Sequence, residues 1–132
     1  MTQGDDMRYM MIRRADKLTE AGGAPDPNIH AAMEAYHEEM AKAGILRGGE
    51  GLKPSSEGFR IKFNAGTPTV TDGPFAETKE LIAGYSIIEV PSKADAVAWA
   101  KKWPAILSEA NVELELRPYF ELSDFENWAQ ER

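Results

Sequence analysis

The sequence contains no cysteine among its 132 residues. Disulfides, thiolate catalysis and cysteine-based metal sites are therefore excluded. Histidine is nearly absent too, because His30 and His37 are the two in the chain. Their seven-residue spacing separates them by about two turns on one helix face, too far to share one metal ion without a third element. We therefore expect no metal and no cofactor.

Basic clusters and long apolar runs are also missing. The formal net charge is −7, so nucleic acid is not an expected partner. No apolar run is long enough to cross a bilayer, and the polar start, residues 1–6, does not resemble a signal peptide. We expect no membrane contact and a cytoplasmic location. With 42% hydrophobic and 28% charged residues, the composition predicts a single domain over 1–132, with a core at about 7–120 and a short tail at 121–132.

Hydrophobic periodicity and turn residues predict an alternation of strands and helices. Asp26 followed by Pro27 is typical of a helix start, and Ser92 is a second N-cap. Residues 15–25 are predicted to form a loop, and residues 59–63, which alternate apolar and basic, a half-buried strand of a hairpin. The predicted strands are 8–13, 45–52, 59–63, 67–71, 80–90 and 112–119, and the predicted helices are 26–43 and 92–103.

This order, β-α-β-(hairpin)-β-α-β, predicts an α+β fold of the ferredoxin-like βαββαβ type with an inserted hairpin. Two helices would cover one face of an antiparallel sheet. The other face would then leave Tyr9, Met11, Tyr85 and Ile87 together in water. A patch that apolar usually binds a partner, so we expect a homodimer.

Residues 70–80 carry the most distinctive stretch, an acidic segment that follows the corner Asp72-Gly73-Pro74-Phe75. This DGPF signature, together with the glycines at 48–52 and Gly84, resembles the DGPF branch of the YCII-related family over about residues 7–120. The resemblance implies a dimeric α/β barrel, in which two sheets pack across a two-fold axis. The resemblance also implies a His/Asp acid/base dyad on the two helices of YCII-type enzymes. The two predicted helices of this sequence have no residues that match the dyad, so we do not assign its catalytic role to this chain.

Two carboxylates are the candidate catalytic residues. Asp72 lies at a strand end beside glycines, where it can act as a general acid or base. Alternatively it is a turn residue that hydrogen-bonds the local backbone. Glu50 lies between two glycines, either exposed to solvent or paired with Asp72 as an acid/base couple.

Candidate ligand-binding residues come from several elements. Arg13 and Arg117 are anion anchors if they face a cleft, and otherwise pair with acids across strands. His37 either points into the cleft or lies on a helix surface. Aromatic side chains complete the candidate lining: Tyr36, Phe75 and Tyr85.

These residues predict that the protein binds an unidentified small molecule in a cleft between sheets, with cofactor-independent acid/base catalysis as its chemistry if it is an enzyme. The family resemblance implies an alternative, a non-catalytic regulatory protein associated with extracytoplasmic-function sigma factors. A purely structural dimer module ranks last.

Overall fold

The computed structural model describes residues 6–23, 26–105 and 111–131. Over these residues the chain forms six strands and four helices. None of the described helices is both long and apolar enough to cross a bilayer. In chain order the elements are β1 Met7–Arg14, α1 Lys17–Ala21, α2 Pro27–Lys42, β2 Leu46–Gly51, β3 Phe59–Asn64, β4 Thr67–Asp72, β5 Ile82–Val90, α3 Lys93–Lys101, β6 Leu114–Pro118 and α4 Leu122–Glu131.

The main sheet has the strand order β2-β5-β1-β6, and all its pairs are antiparallel. This order is the ferredoxin-like arrangement, so the predicted fold class is confirmed. Strands β3 and β4, which follow β2 and precede β5 in the chain, pair only with each other and form a separate two-stranded sheet. We call this inserted element, residues 59–72, the hairpin arm.

The core lies between the sheet and helices α2 and α3. The predicted helix starts are confirmed, because Asp26 accepts a hydrogen bond from the Asn28 N–H and Ser92 accepts one from the Asp95 N–H. Each large apolar side chain buried here contributes about 1.5–3 kcal/mol. The buried cluster consists of Tyr9, Met11, Tyr36, Met40, Ile88, Val90 and Ala96.

The register between β1 and β5 corrects one prediction about the sheet faces. Tyr9 stands opposite Ile88 and Met11 opposite Ser86, so Tyr9 and Met11 face the helices and not solvent. Both faces of β1 are apolar, and only cross-strand pairing decides which one meets the helices. The face away from the helices, the outer face, has a half-buried to buried apolar centre of Met10, Ile12, Tyr85 and Ile87.

Two segments contain more helix than the sequence predicted. The predicted loop at 15–25 includes α1, whose start is a capping box: the Asp16 carboxylate accepts from the Thr19 N–H, and the Thr19 hydroxyl accepts from the Asp16 N–H. The predicted short tail at 121–132 contains α4, which is ten residues long.

The hairpin arm was correctly predicted as a hairpin, with a two-residue turn at Ala65-Gly66. The prediction that its first strand is half-buried was wrong, because every residue of both strands is exposed to solvent. The two strands contact each other through their backbone pairing. The alternation of apolar and basic residues is real, but the arm leaves the main sheet and no described helix packs on its apolar face.

Strand β2 approaches β5 closely at Gly49. Its φ of 153° is one that other residues rarely adopt, and a Cβ there would lie 2.5 Å from the Tyr85 carbonyl oxygen. Gly49 therefore permits a close approach of the β2 and β5 backbones that a larger residue would prevent. Gly51, two residues further along, has open space at the corresponding position.

We expect Gly49→Ala to lower the free energy of unfolding by about 1–3 kcal/mol, because its methyl group overlaps the β5 backbone at an unfavourable φ. Gly51→Ala is the matched control in the same strand, with an expected cost below about 0.5 kcal/mol. Urea unfolding of both variants measures the difference. Equal stability of the two would contradict the close packing of β2 on β5.

Candidate functional site

The signature corner packs against the turn at residues 55–58. The Gly73 N–H donates to the Gly58 carbonyl over 2.9 Å, and the Phe75 N–H donates to the Ser55 hydroxyl over 3.1 Å. A Cβ on Gly73 would lie 1.8 Å from the Ser55 carbonyl oxygen, so no larger residue fits without moving the backbone. The corner and the turn therefore form one packed unit at the base of the hairpin arm.

Ser55 connects this unit to α1. Its hydroxyl donates to the Glu20 carboxylate over 2.9 Å, and its N–H donates to the same carboxylate over 3.0 Å. On the other side of the corner, the Arg60 guanidinium lies 3.8 Å from the centre of the Phe75 ring, a cation–π contact. The signature thus anchors the hairpin arm to the body of the protein.

Asp72 occupies the last position of β4, opposite Phe59 in the register, and is exposed. The Phe75 N–H donates to Ser55 rather than to the Asp72 carboxylate. Asp72 is not among the residues that line the cleft described next. The structure therefore places Asp72 at the base of the hairpin arm.

A cleft of about 640 Å³ lies on the helix side of the main sheet. Glycines from β2 and β5 form part of its lining, and the absence of side chains there opens space above the sheet. The glycines are Gly48, Gly49, Gly51 and Gly84, the polar lining residues are Arg13, Thr19, His37, Glu50 and Ser86, and the remaining lining residues are Met33, Leu46, Ala83, Tyr85 and Trp103.

Arg13 supplies a fixed positive charge in this cleft. Its side chain is only 14% exposed, and its Nη2 lies 3.1 Å from the Asp16 carboxylate. A second nitrogen donates to the Arg14 carbonyl. Burial alone would raise the pKa of Asp16, but hydrogen bonds from the Thr19 N–H and the Arg13 guanidinium outweigh it and hold that pKa below its usual value. Two of the five N–H donors of Arg13 take part in these contacts, which leaves donors for a ligand.

His37 and Ser86 form a hydrogen-bonded pair in the same cleft, with Nε2 and Oγ 3.1 Å apart. Ser86 is 3% exposed. Because Arg13 stands opposite Gly84 in the sheet, Ser86 is its diagonal neighbour on the same face, about 7–8 Å away by sheet geometry. A cation and a polar pair therefore face one small volume.

The cleft lining includes four of the eight predicted site residues: Arg13, His37, Glu50 and Tyr85. Arg13 and His37 lie on the helix side, whereas Glu50 and Tyr85 alternate with the glycines and Ser86 along their strands, so their side chains belong to the outer face. Glu50 and Tyr85 are direct partners across the β2–β5 pair. Glu50 is exposed and Tyr85 is half-buried.

The other predicted ligand-binding residues lie elsewhere. Tyr36 is buried in the core and donates to the Trp99 carbonyl over 2.7 Å. Burial and the nearby Glu39 carboxylate raise the pKa of Tyr36 to about 12. Phe75 lies under Arg60 at the base of the hairpin arm. Arg117 stands opposite Met10 on the outer face.

Sequence reasoning did not single out Ser86 or Trp103 as site residues. Ser86 carried a usable signal, since it is the polar residue between Ile82 and Ile88 on an otherwise apolar face of β5. Trp103 carried none, because its spacing in the predicted helix at 92–103 is equally typical of core packing. Among residues 6–23, 26–105 and 111–131 no three potential ligands lie close enough to hold a metal ion, and the expectation that no metal is needed stays a prediction.

We expect Ser55→Ala to destabilise the protein by about 1–3 kcal/mol, because it removes the acceptor of the Phe75 N–H and the donor to Glu20. Asp72→Asn is the neighbouring control and should change stability by less than about 0.5 kcal/mol, since Asp72 is exposed. Thermal melts compare the two variants. A larger loss in Asp72→Asn than in Ser55→Ala would show that the carboxylate, and not the serine, holds the corner.

Comparison with known proteins agrees with the resemblance drawn from the signature. A model of the YCII-related domain matches residues 7–120. The chain is also 33% identical over 86 residues to R00369, an uncharacterized protein of Rhizobium meliloti. That alignment covers 65% of this chain and 66% of the Rhizobium protein, slightly under two thirds of the relative's length. With its family model matched from the first strand to the end of the sheet, this chain belongs to the YCII-related family.

Proposed function

We propose that the protein binds a small organic anion, with a carboxylate or a similar group on an apolar body, in the helix-side cleft. The observation that carries this proposal is the position of Arg13, whose nearly buried guanidinium lines a glycine-floored cleft beside the His37–Ser86 pair. Arginine forms bidentate hydrogen bonds with planar anions.

The size and lining of the cleft agree with such a ligand. Its volume of about 640 Å³ is within the range of small-molecule sites, roughly 300–1,000 Å³. Met33, Leu46 and Trp103 supply apolar walls for the body of the ligand. The chain as a whole carries a net charge of −7, so the positive charge of Arg13 is a local property of this site.

The same geometry supports a second step of the proposal, that the protein catalyses an acid/base reaction on the bound anion. An imidazole at hydrogen-bond distance from a hydroxyl, in a cleft that also holds an anion anchor, can transfer a proton without a cofactor. We assign this role to His37, ahead of the carboxylates of Asp72 and Glu50. Asp72 lies outside the cleft lining, and Glu50 is exposed. The regulatory alternative, association with sigma factors, rests on family resemblance alone and ranks second.

A screen of small carboxylates by thermal shift, followed by calorimetry on the best binder, tests the proposal. We expect Arg13→Gln to weaken that binder tenfold or more, because hydrogen bonds to charged groups contribute about 1.5–3 kcal/mol. Arg14→Gln is the matched control. Arg14 is the next residue, but it pairs with Glu115 over 2.6 Å and does not line the cleft.

Unchanged binding in Arg13→Gln, or equal loss in both arginine variants, would contradict the assignment of the cleft. Asp72→Asn adds a second comparison and should keep full affinity. A loss of binding there, at unchanged stability, would move the site to the signature corner. Turnover of the binder that disappears in His37→Asn with binding retained would establish the acid/base role.

We also propose that the protein forms a homodimer through the outer face of the main sheet. The apolar centre of that face is Met10, Ile12, Tyr85 and Ile87. Ion pairs border it, among them Arg14–Glu115 and Arg47–Glu89 at 3.2 Å. An apolar centre with a charged rim is the usual composition of a protein interface, and a stable one buries at least about 1,000 Å² in total.

We expect Ile87→Asp to convert the dimer into a folded monomer, because the new carboxylate would be buried without a partner in the interface. Light scattering at micromolar concentration measures the mass, and circular dichroism checks the fold. Ala41→Asp, on the exposed side of α2, is the control and should remain dimeric. A wild-type monomer, or a stable Ile87→Asp dimer, would overturn the proposed interface.

A further inference from the structure

Helix α1 is too short to hold itself in place. It has five residues, Lys17–Ala21, and none of them is buried. Isolated helices shorter than about 12–15 residues are marginal in water, because few hydrogen bonds offset the cost of ordering the first turn. The position of α1 therefore depends on the contacts that its two ends make with the rest of the protein.

The start of α1 contacts the anion anchor of the cleft. One carboxylate oxygen of Asp16, the N-cap, lies 3.1 Å from the Arg13 guanidinium, and the other accepts from the Thr19 N–H over 2.9 Å. The second bond requires the first turn of α1, because Thr19 is the third residue of the helix. The direction in which Asp16 holds Arg13 thus depends on α1.

The end of α1 is held by the turn that packs on the signature corner. The Glu20 carboxylate accepts from the Ser55 N–H, at 3.0 Å, and from the Ser55 hydroxyl, at 2.9 Å. Gly22 ends the helix with a φ of 81°, and a Cβ on it would lie 2.9 Å from the Pro54 ring. Ser55 in turn accepts from the Phe75 N–H. The turn therefore contacts α1 on one side and the signature corner on the other.

We propose that Glu20 and Ser55 are positioning residues for the ligand site, because they fix α1 and, through α1, the orientation of the Arg13 guanidinium. This inference rests on the proposed anion site in the cleft and names the residues that hold its anchor. Neither Glu20 nor Ser55 lines the cleft, so their effect on a ligand is indirect. The signature corner then contributes to binding, although Asp72 and Phe75 also lie outside the cleft lining.

The size of the expected effect follows from the cost of ordering a side chain. A guanidinium that Asp16 already holds loses little freedom when a ligand binds, whereas a mobile one must be ordered at that moment. This cost corresponds to a loss of affinity of about threefold to tenfold. It is smaller than the effect of removing Arg13 itself, since the positive charge and its N–H donors remain in the cleft.

Glu20→Ala tests the inference first without any ligand. A guanidinium bound to a carboxylate rotates slowly, so its Nη protons give separate NMR signals, while a mobile one gives a single averaged signal. We expect the separate Arg13 signals, identified by their absence in Arg13→Gln, to merge in Glu20→Ala. The matched control is Glu57→Ala, which removes a carboxylate from the same turn as Ser55 but one that pairs with Lys53 over 3.6 Å. It should leave the Arg13 signals separate.

Calorimetry with benzoate, a carboxylate on an apolar ring, measures the effect on binding. We expect Glu20→Ala and Ser55→Ala each to weaken benzoate about fivefold, and Glu57→Ala to leave its affinity unchanged. The double variant Glu20→Ala/Ser55→Ala should bind no more weakly than either single variant, because both substitutions break the same contact. If Ser55→Ala, which also loses its bond to the corner, does not fold, Glu20→Ala alone decides the test.

Separate Arg13 signals in Glu20→Ala, or an unchanged affinity for benzoate in that variant, would overturn the positioning role. An equal loss of affinity in Glu57→Ala, or additive losses in the double variant, would do so as well. Failure of the ligand site itself gives a different result. Wild-type protein that binds neither benzoate nor any other carboxylate of the screen, with Arg13 signals that merge in Glu20→Ala, would refute the proposed function and still confirm that Glu20 holds Arg13.

Discussion

The antiparallel pairing of β1 with β5 decides what every face of this protein contains. Tyr9 opposite Ile88 and Met11 opposite Ser86 turn one set of side chains toward α2 and α3 and the other set outward. A shift of one residue would exchange the two sets completely, because side chains alternate along a strand. The core, the outer face and the position of Arg13 beside the cleft all follow from this register.

The same pairing brings the polar site together from distant parts of the chain. Arg13 comes from the end of β1, Ser86 from the middle of β5 and His37 from α2. The glycines of β2 and β5 leave the sheet bare between them, and the close approach at Gly49 keeps the two backbones in contact. The cleft thus forms where glycines leave the sheet without side chains and where α2 places His37 over them.

The signature corner forms part of the packing at the base of the hairpin arm. Its glycine and backbone N–H groups pack on the turn at Ser55, and Ser55 binds Glu20 on α1. These contacts hold the base of the hairpin arm, whose large apolar side chains are exposed. The signature therefore positions the arm, whereas the cleft in which we propose a ligand is lined by residues that include Arg13, His37 and Ser86.

The sequence alone was sufficient for the order of the six strands and of helices α2 and α3, the helix caps at Asp26 and Ser92, the hairpin and the family. These features depend on periodicity, local hydrogen bonds and a distinctive corner. It also pointed to four residues of the cleft, among them Arg13 and His37. It did not decide which face of β1 meets the helices, since both faces are apolar. Nor did it reveal the His37–Ser86 pair, which joins residues 49 positions apart, or separate Asp72 from the cleft. Those facts depend on strand register and on the packing of α2 over β5, contacts between residues distant in the chain that only the tertiary structure establishes.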